Sequence, residues 1–369
     1  MEENFEKVVE LLKKQNQEQI LEYPINNKEE FAQEVLKINF EQLKDLYDKA
    51  IKDEKIVNSK IAPISCVEKD KLSKEEKEHY EKIGENIIKN NEYAVVTMAG
   101  GQGSRLGHDG PKGSYKLKLE KDKSIFEILC ERLKEAYEKY NVYIPWYIMT
   151  SKQNNEDTIK FFEENNYFNY PKEKIKFFKQ NKLPLINLEG KLILQEPYLI
   201  KEASNGNGNV FKALKKNNLI QDLEAKNIKW ISFGGIDNVL LKNFDPLFLG
   251  LAIGKNLKIG SKSIFKKEPL EKTAVYCKKN EKPAILDYDD INLELSESKL
   301  TNTNTYLYRE ANMLSHIMSI DAVKKVSTID LIYHRAYKKN SFVNFEGVKQ
   351  VPDKPNTFKF ENFIFDAFA

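Results

Sequence analysis

Only three cysteines stand in 369 residues, at positions 66, 130 and 277. Odd in number and far apart, they speak against a disulfide framework and a zinc cluster, and a reducing compartment is the simplest home for them. Histidine is almost as rare. His79, His108, His316 and His334 are scattered, and none joins a serine or cysteine in a convincing nucleophilic arrangement. No run approaches the roughly 20 apolar residues of a membrane span. The opening M-E-E-N-F-E-K is acidic where a signal peptide would be basic and apolar. Net charge is low as well, +3 from 59 basic and 56 acidic side chains, so the electrostatic footprint of a nucleic-acid binder is missing. The expectation is a soluble cytoplasmic protein with neither a nucleic-acid nor a membrane partner.

What is present suits a folded enzyme-sized chain. Hydrophobic residues make up 41% and charged residues 31%, enough to bury one large core with a smaller addition. Glycine is sparse, 16 in all, yet six fall between positions 100 and 113. They lie in V-V-T-M-A-G-G-Q-G-S-R-L-G-H-D-G-P-K-G, Val95 to Gly113, with Arg105 and Lys112 among them. A short apolar run that breaks into glycine reads as a strand feeding a phosphate loop. Glycine lets backbone N–H groups approach an anion, and two cations seven positions apart can serve different phosphates. A dinucleotide fingerprint is excluded because its third glycine would fall at Leu106, and neither Gly190-Lys191 nor Gly254-Lys255 completes a P-loop.

Periodicity divides the chain. Residues 1–90 read as a helical appendage: Phe5, Val8, Val9, Leu11 and Leu12, then Phe31, Val35, Leu36, Phe40, Leu43 and Leu46, recur at helical spacing. The loop at 62–65 separates them from a further helix that starts at the capping box after Ser73. Residues 91–369 change to apolar runs alternating with amphipathic helices, the mark of an α/β fold with a Rossmann-like, mixed but mainly parallel sheet. Strands are predicted at 94–98, 143–149, 175–178 and 230–234, with helices around 125–140 and 155–165 between them. Runs at 257–264, 274–277, 284–288 and 306–308 lack long intervening helices and predict a mixed or antiparallel extension. Residues 360–368 read as the start of a helix.

The A-G-G-Q-G-S-R-L-G and P-K-G segments resemble the signature loop of the UDP-sugar pyrophosphorylases, specifically the UDP-N-acetylhexosamine branch. The order W-Y-I-M-T-S, F-F-K-Q-N-K-L-P, E-A-S-N-G-N-G-N-V and I-S-F-G-G-I-D-N-V-L recurs in that branch at similar spacing, so the resemblance runs from about Ile61 to the last residue. It implies a nucleotide-diphospho-sugar transferase fold and Mg²⁺-dependent uridylyl transfer from UTP to a sugar 1-phosphate. The nucleophile is then an ionised phosphate, so positioning and charge neutralisation carry the reaction and no general base is required.

Residue by residue, the resemblance implies that Arg105 and Lys112 hold the triphosphate and that Lys359, in P-D-K-P-N-T-F-K-F, reaches the sugar phosphate. Ala99, Gly100, Gly101 and Gly103 form the nucleotide loop; Gln180 and Gly206 contact uracil. Asp237, followed by Asn238, is the expected Mg²⁺ ligand. Asn207, Asp287 and Asn312 match positions that bind the sugar. The match frays there: Asp287 replaces a glutamate, Ala274 a glycine, and Arg309-Glu310-Ala311-Asn312 stands for N-A-G-N. N-acetylglucosamine 1-phosphate is the first choice, with glucose or galactose 1-phosphate next and a silent nucleotide-sugar binder as the rival reading. Family members continue past F-I-F-D into another lysine-bearing loop and a C-terminal domain, which is expected to be missing here, through truncation or because this is a minimal relative. If that lysine matters, a longer version turns over faster at saturating substrate.

Overall fold

The computed structural model describes residues 2–52, 60–288 and 291–368. The chain forms two compact units. One gathers Met1–Asn58, Asn181–Asn207 and Leu331–Phe363; the other gathers Ser59–Gln180, Gly208–Asp330 and Ile364–Ala369. These units run otherwise than a linear division at residue 90, because the helix Lys74–Lys89 packs on the helix Pro246–Gly254 of the larger unit.

The larger unit is built on a nine-stranded sheet: β1 (Ile61–Pro63), β2 (Tyr93–Met98), β3 (Trp146–Thr150), β4 (Ile175–Lys179), β5 (Trp230–Gly235), β6 (Ile259–Phe265), β7 (Val275–Lys279), β8 (Lys282–Leu286) and β9 (Glu310–Ser319). Its path is β1-β7-β9-β5-β2-β3-β4, with β6 paired to β9 and β8 to β7. The β5-β2-β3-β4 half is parallel and every other pairing is antiparallel. Strands β2, β3 and β5 are buried at every position, which is why they read as unbroken apolar runs.

Ser124 and Glu127 close a capping box on the helix Ile125–Tyr140, and Ile125, Phe126, Leu129, Cys130, Leu133 and Ala136 form its buried stripe. Phe162, from the helix Asn155–Glu164, packs into the same core beside Trp146 and Phe126. The chain runs outward through β2, β3 and β4, then returns to place β5 on the other side of β2. Loops leaving β2 and β5 therefore diverge, making the crevice in which open α/β sheets bind ligands.

Three expectations need correction. The segment 62–65 is no mere separator: Ile61–Pro63 pairs with β7 at the sheet edge, where a proline is tolerated. No strand spans 306–308; Tyr306 makes an isolated bridge with Lys299, and the ten-residue strand starts at Glu310. Residues 360–368 do not begin an α-helix, because Phe360 and Glu361 end a strand, Thr357–Glu361, and Ile364–Phe368 is a short 3₁₀ turn.

In the smaller unit the helices Glu2–Lys14, Lys28–Leu36 and Phe40–Ile51 form around the predicted apolar positions. Val8, Leu12, Phe31, Val35, Leu43 and Leu46 share a core with Ile186, Leu194, Val343, Phe358 and Phe360. Thr357–Glu361 pairs with His334–Lys338 on one side and Ile186–Asn187 on the other.

Candidate functional site

At the carboxyl end of β2 the chain enters the glycine loop. Ala99, buried, donates its N–H to the Met149 carbonyl at 2.7 Å. Gly103 donates to Gly110 at 2.9 Å and Lys112 to Gly101 at 3.1 Å, so residues 101–112 close on themselves. Two side chains brace that loop. Asn154, fully buried, donates to the carbonyls of Ala99 at 2.9 Å and Gly101 at 3.1 Å, while its own oxygen accepts from the Ser151 N–H and hydroxyl. Ser114 donates its hydroxyl to the Pro111 carbonyl at 2.8 Å, so the 2.8 Å contact with His108 is filled by the Nε2 proton of the ring. His108 is thus part of the loop's scaffold. Arg105 sits exposed in the 3₁₀ turn Ser104–Leu106.

Lys112 and Asp237 come together across the crevice. Gly235 at the end of β5 stands in register with Met98 at the end of β2, so the two following loops start level. The Lys112 ammonium donates to the Asp237 carboxylate, with 17% of the lysine side chain and 66% of the aspartate exposed. Among the described residues no cluster of three histidines, cysteines or carboxylates could hold a metal. A single exposed carboxylate fits Mg²⁺, a hard ion that keeps its waters and takes one or two protein oxygens beside phosphates; it does not fit zinc.

Gln180 follows β4 and donates its backbone N–H to Thr150 at 2.8 Å. Its carboxamide lies so close to Gly100 that a Cβ there would sit 2.4 Å from Nε2. The predicted loop glycine and the predicted uracil-reading side chain are therefore neighbours.

On the antiparallel side, Asn312 lies in β9 and Asp287 immediately follows β8. Asn312 donates its N–H to the Ala274 carbonyl at 2.9 Å. Asn238, after Asp237, donates its amide to the Met313 carbonyl at 3.3 Å, tying the β5 loop to the same strand.

Gly206, Asn207 and Lys359 belong to the smaller unit. Gly206 has φ +92°, and a Cβ there would meet the Asn362 carbonyl oxygen at 2.1 Å, so no other residue fits. Flanking it, the side-chain oxygens of Asn205 and Asn362 are buried without a partner. Lys359, on Thr357–Glu361, pairs with Glu361 at 2.8 Å.

Comparison with known proteins follows the same lines. The family model described as UTP–glucose-1-phosphate uridylyltransferase matches residues 37–363. The chain is 37% identical over 306 residues to the UDP-N-acetylglucosamine pyrophosphorylase of Saccharomyces cerevisiae, covering 80% of this chain and 63% of that one. It is 33% identical over 323 residues to UDP-N-acetylglucosamine diphosphorylase 2 of Arabidopsis thaliana, covering 83% and 63%. It thus spans a little under two thirds of the length of these relatives. The crystal structure of uridine diphosphate N-acetylglucosamine pyrophosphorylase from Trypanosoma brucei superposes with a TM-score of 0.81 at 26% identity, over 99% of this chain and 75% of that one. Matched over most of its length, and with its glycine loop and Asp237 at the crevice of a mainly parallel sheet, the chain belongs to the UTP–glucose-1-phosphate uridylyltransferase family.

Proposed function

We propose that the protein transfers a uridylyl group from UTP to a sugar 1-phosphate, with N-acetylglucosamine 1-phosphate as the preferred acceptor, releasing pyrophosphate. The observation that carries this reading is the meeting of Lys112 and Asp237 beyond the ends of β2 and β5, with Gln180 against Gly100 in the same unit. A phosphate oxygen of the sugar 1-phosphate attacks the α-phosphorus of UTP as the bond to the β-phosphate oxygen breaks. That oxygen is already ionised, so the absence of a base from the roles assigned to these side chains costs nothing.

Lys112 leaves Asp237 for the triphosphate and meets charge as it develops on the leaving pyrophosphate; Arg105 serves the outer phosphates. Asp237 would hold Mg²⁺, which when bound would add to the neutralisation of the triphosphate. Gln180 both donates to and accepts from uracil, and the loop backbone from Ala99 to Gly103 receives the nucleotide. In the larger unit Asp287 and Asn312 serve the sugar; in the smaller unit, taken by itself, Gly206, Asn207 and Lys359 keep the roles the resemblance implies for them. All three cysteines are free thiols, which fits a reducing compartment such as the cytoplasm, and among the described residues no helix is long and apolar enough to cross a membrane.

A second acceptor keeps a claim because the family model bears the name of glucose 1-phosphate while the curated relatives bear that of N-acetylglucosamine. The test is pyrophosphate release with Mg²⁺ and UTP and, in parallel, N-acetylglucosamine, glucose or galactose 1-phosphate. Release with the first alone, or fastest with it, is expected. Silence with all three, together with UTP binding in a calorimetric titration, would leave a nucleotide-sugar binder and end the catalytic reading.

A further inference from the structure

Asn312 stands where β9 departs from regular pairing. Ser261 and Ser263 of β6 lie opposite His316 and Asn312, so two extra residues are accommodated on β9, and Leu314 within them has φ +52°. Such bulges re-aim side chains. Here the bulge folds the Leu314 N–H back onto the Asn312 side chain at 2.9 Å. A backbone N–H only donates, so the atom it meets is the carboxamide oxygen, and this settles which way the amide points. The Tyr276 phenol reaches the same oxygen at 2.9 Å and must donate to it as well. Both lone pairs are then used, and only the Nδ2 protons remain for a ligand.

A second polar pair joins β6 to β9: the Ser261 hydroxyl lies 2.8 Å from Nδ1 of His316. His316 is fully buried and its Nε2 has no partner. A neutral ring protonated at Nδ1 leaves only a lone pair unsatisfied, which costs less than an orphaned N–H. That tautomer donates to Ser261.

We infer that Tyr276 is a positioning residue for sugar recognition: it locks Asn312 as a pure hydrogen-bond donor, so the substrate must present an acceptor oxygen at that point. The inference rests on the reading of Asn312 as sugar-facing and adds the direction of the contact and the residue that sets it. A hydroxyl or an acetamido carbonyl satisfies such a donor; an ammonium at the same place is repelled.

The test is Tyr276→Phe, which keeps the ring and removes the donor. The KM for N-acetylglucosamine 1-phosphate is expected to rise about fivefold, roughly the net worth of one hydrogen bond. Meanwhile kcat, the KM for UTP and the thermal midpoint stay close to wild type, a split that mere loosening of the fold would not produce. Asn312→Asp runs beside it, since it keeps an oxygen for Tyr276 and Leu314 but replaces the N–H donors with a carboxylate oxygen. If Asn312→Asp raises the sugar KM about tenfold or more and Tyr276→Phe leaves it unchanged, the positioning role is wrong and the sugar-facing reading stands. If neither moves it, the sugar-facing reading itself falls. Should Tyr276→Phe fold poorly, Tyr276→Leu, which also lacks the donor, takes its place. A rise of about fivefold in the sugar KM with the UTP KM unchanged then supports the inference, and no change overturns it.

Discussion

Along the parallel half of the sheet, β2 to β5, the polar groups that matter lie past the strand ends, on glycine-rich backbone or on exposed side chains such as Arg105 and Asp237. Along the antiparallel half they lie within the strands, buried and hydrogen-bonded to one another: Tyr276, His316 and Glu310 are each less than a tenth exposed. Glu310 accepts from Ser263 at 2.5 Å and from the Cys66 thiol at 3.2 Å. The first arrangement presents charge that solvent or ligand can claim at little cost to the fold. The second builds direction into buried groups that the fold cannot release. Phosphate chemistry needs the one and discrimination among sugars the other, so substitutions in the two halves should fail differently.

The largest effect is expected at Lys112. In the proposed mechanism, replacing it with methionine removes the charge that meets the leaving pyrophosphate and should lower kcat/KM by about 10²- to 10³-fold. Because its bond to Asp237 is a surface ion pair, urea unfolding should move by less than about 1 kcal/mol. A large loss of stability with modest loss of activity would break the comparison, since Lys112 would then be serving the fold.

His316 tests the opposite half. Burial pushes its imidazole down to about 3 from an ordinary 6.5. The folded state therefore refuses a proton that the unfolded chain accepts: the stabilisation is complete above pH 6.5 and is lost as pH falls towards 3. Between pH 7 and pH 5 that amounts to about 2 kcal/mol. His316→Asn, which can still donate to Ser261, should flatten this part of the stability–pH curve measured by urea unfolding. Identical curves for the two proteins would mean that the buried ring can take up a proton after all.

The same contrast explains what could be read from the sequence. Strands β2, β3 and β5, buried at every position, are largely apolar runs bounded by glycine or polar residues, and the helices between them carry a 3.6-residue period. By contrast β9 reads E-A-N-M-L-S-H-I-M-S, with polar residues whose partners, among them Ser261, Ser263 and Tyr276, lie on other strands. Nothing local announces it as a strand. The same holds for the site. Lys112 and Asp237 were legible because each sits in a motif of fixed types at a predictable strand end. Tyr276 and Asn154 were not, since their partners, Asn312 and the Ala99 carbonyl, lie 36 and 55 residues away in sequence. His108 looked like a stray histidine, and only the Ser114 hydroxyl and the Pro111 carbonyl reveal it as a brace.

The smallest effect is also the most pointed, because it asks whether the parallel half ever carries specificity. A methyl added at Gly100 would lie 2.4 Å from Gln180 Nε2, the far end of a flexible side chain. The fold can yield there by swinging the carboxamide aside, so Gly100→Ala should leave the thermal midpoint within about 2 °C. What it cannot do is keep Gln180 in the place from which, in the proposed function, it reads uracil. The KM for UTP should then rise by about tenfold while that for the sugar 1-phosphate holds, the mirror image of Tyr276→Phe. If stability falls and the UTP KM stays put, the Gly100–Gln180 contact is packing alone.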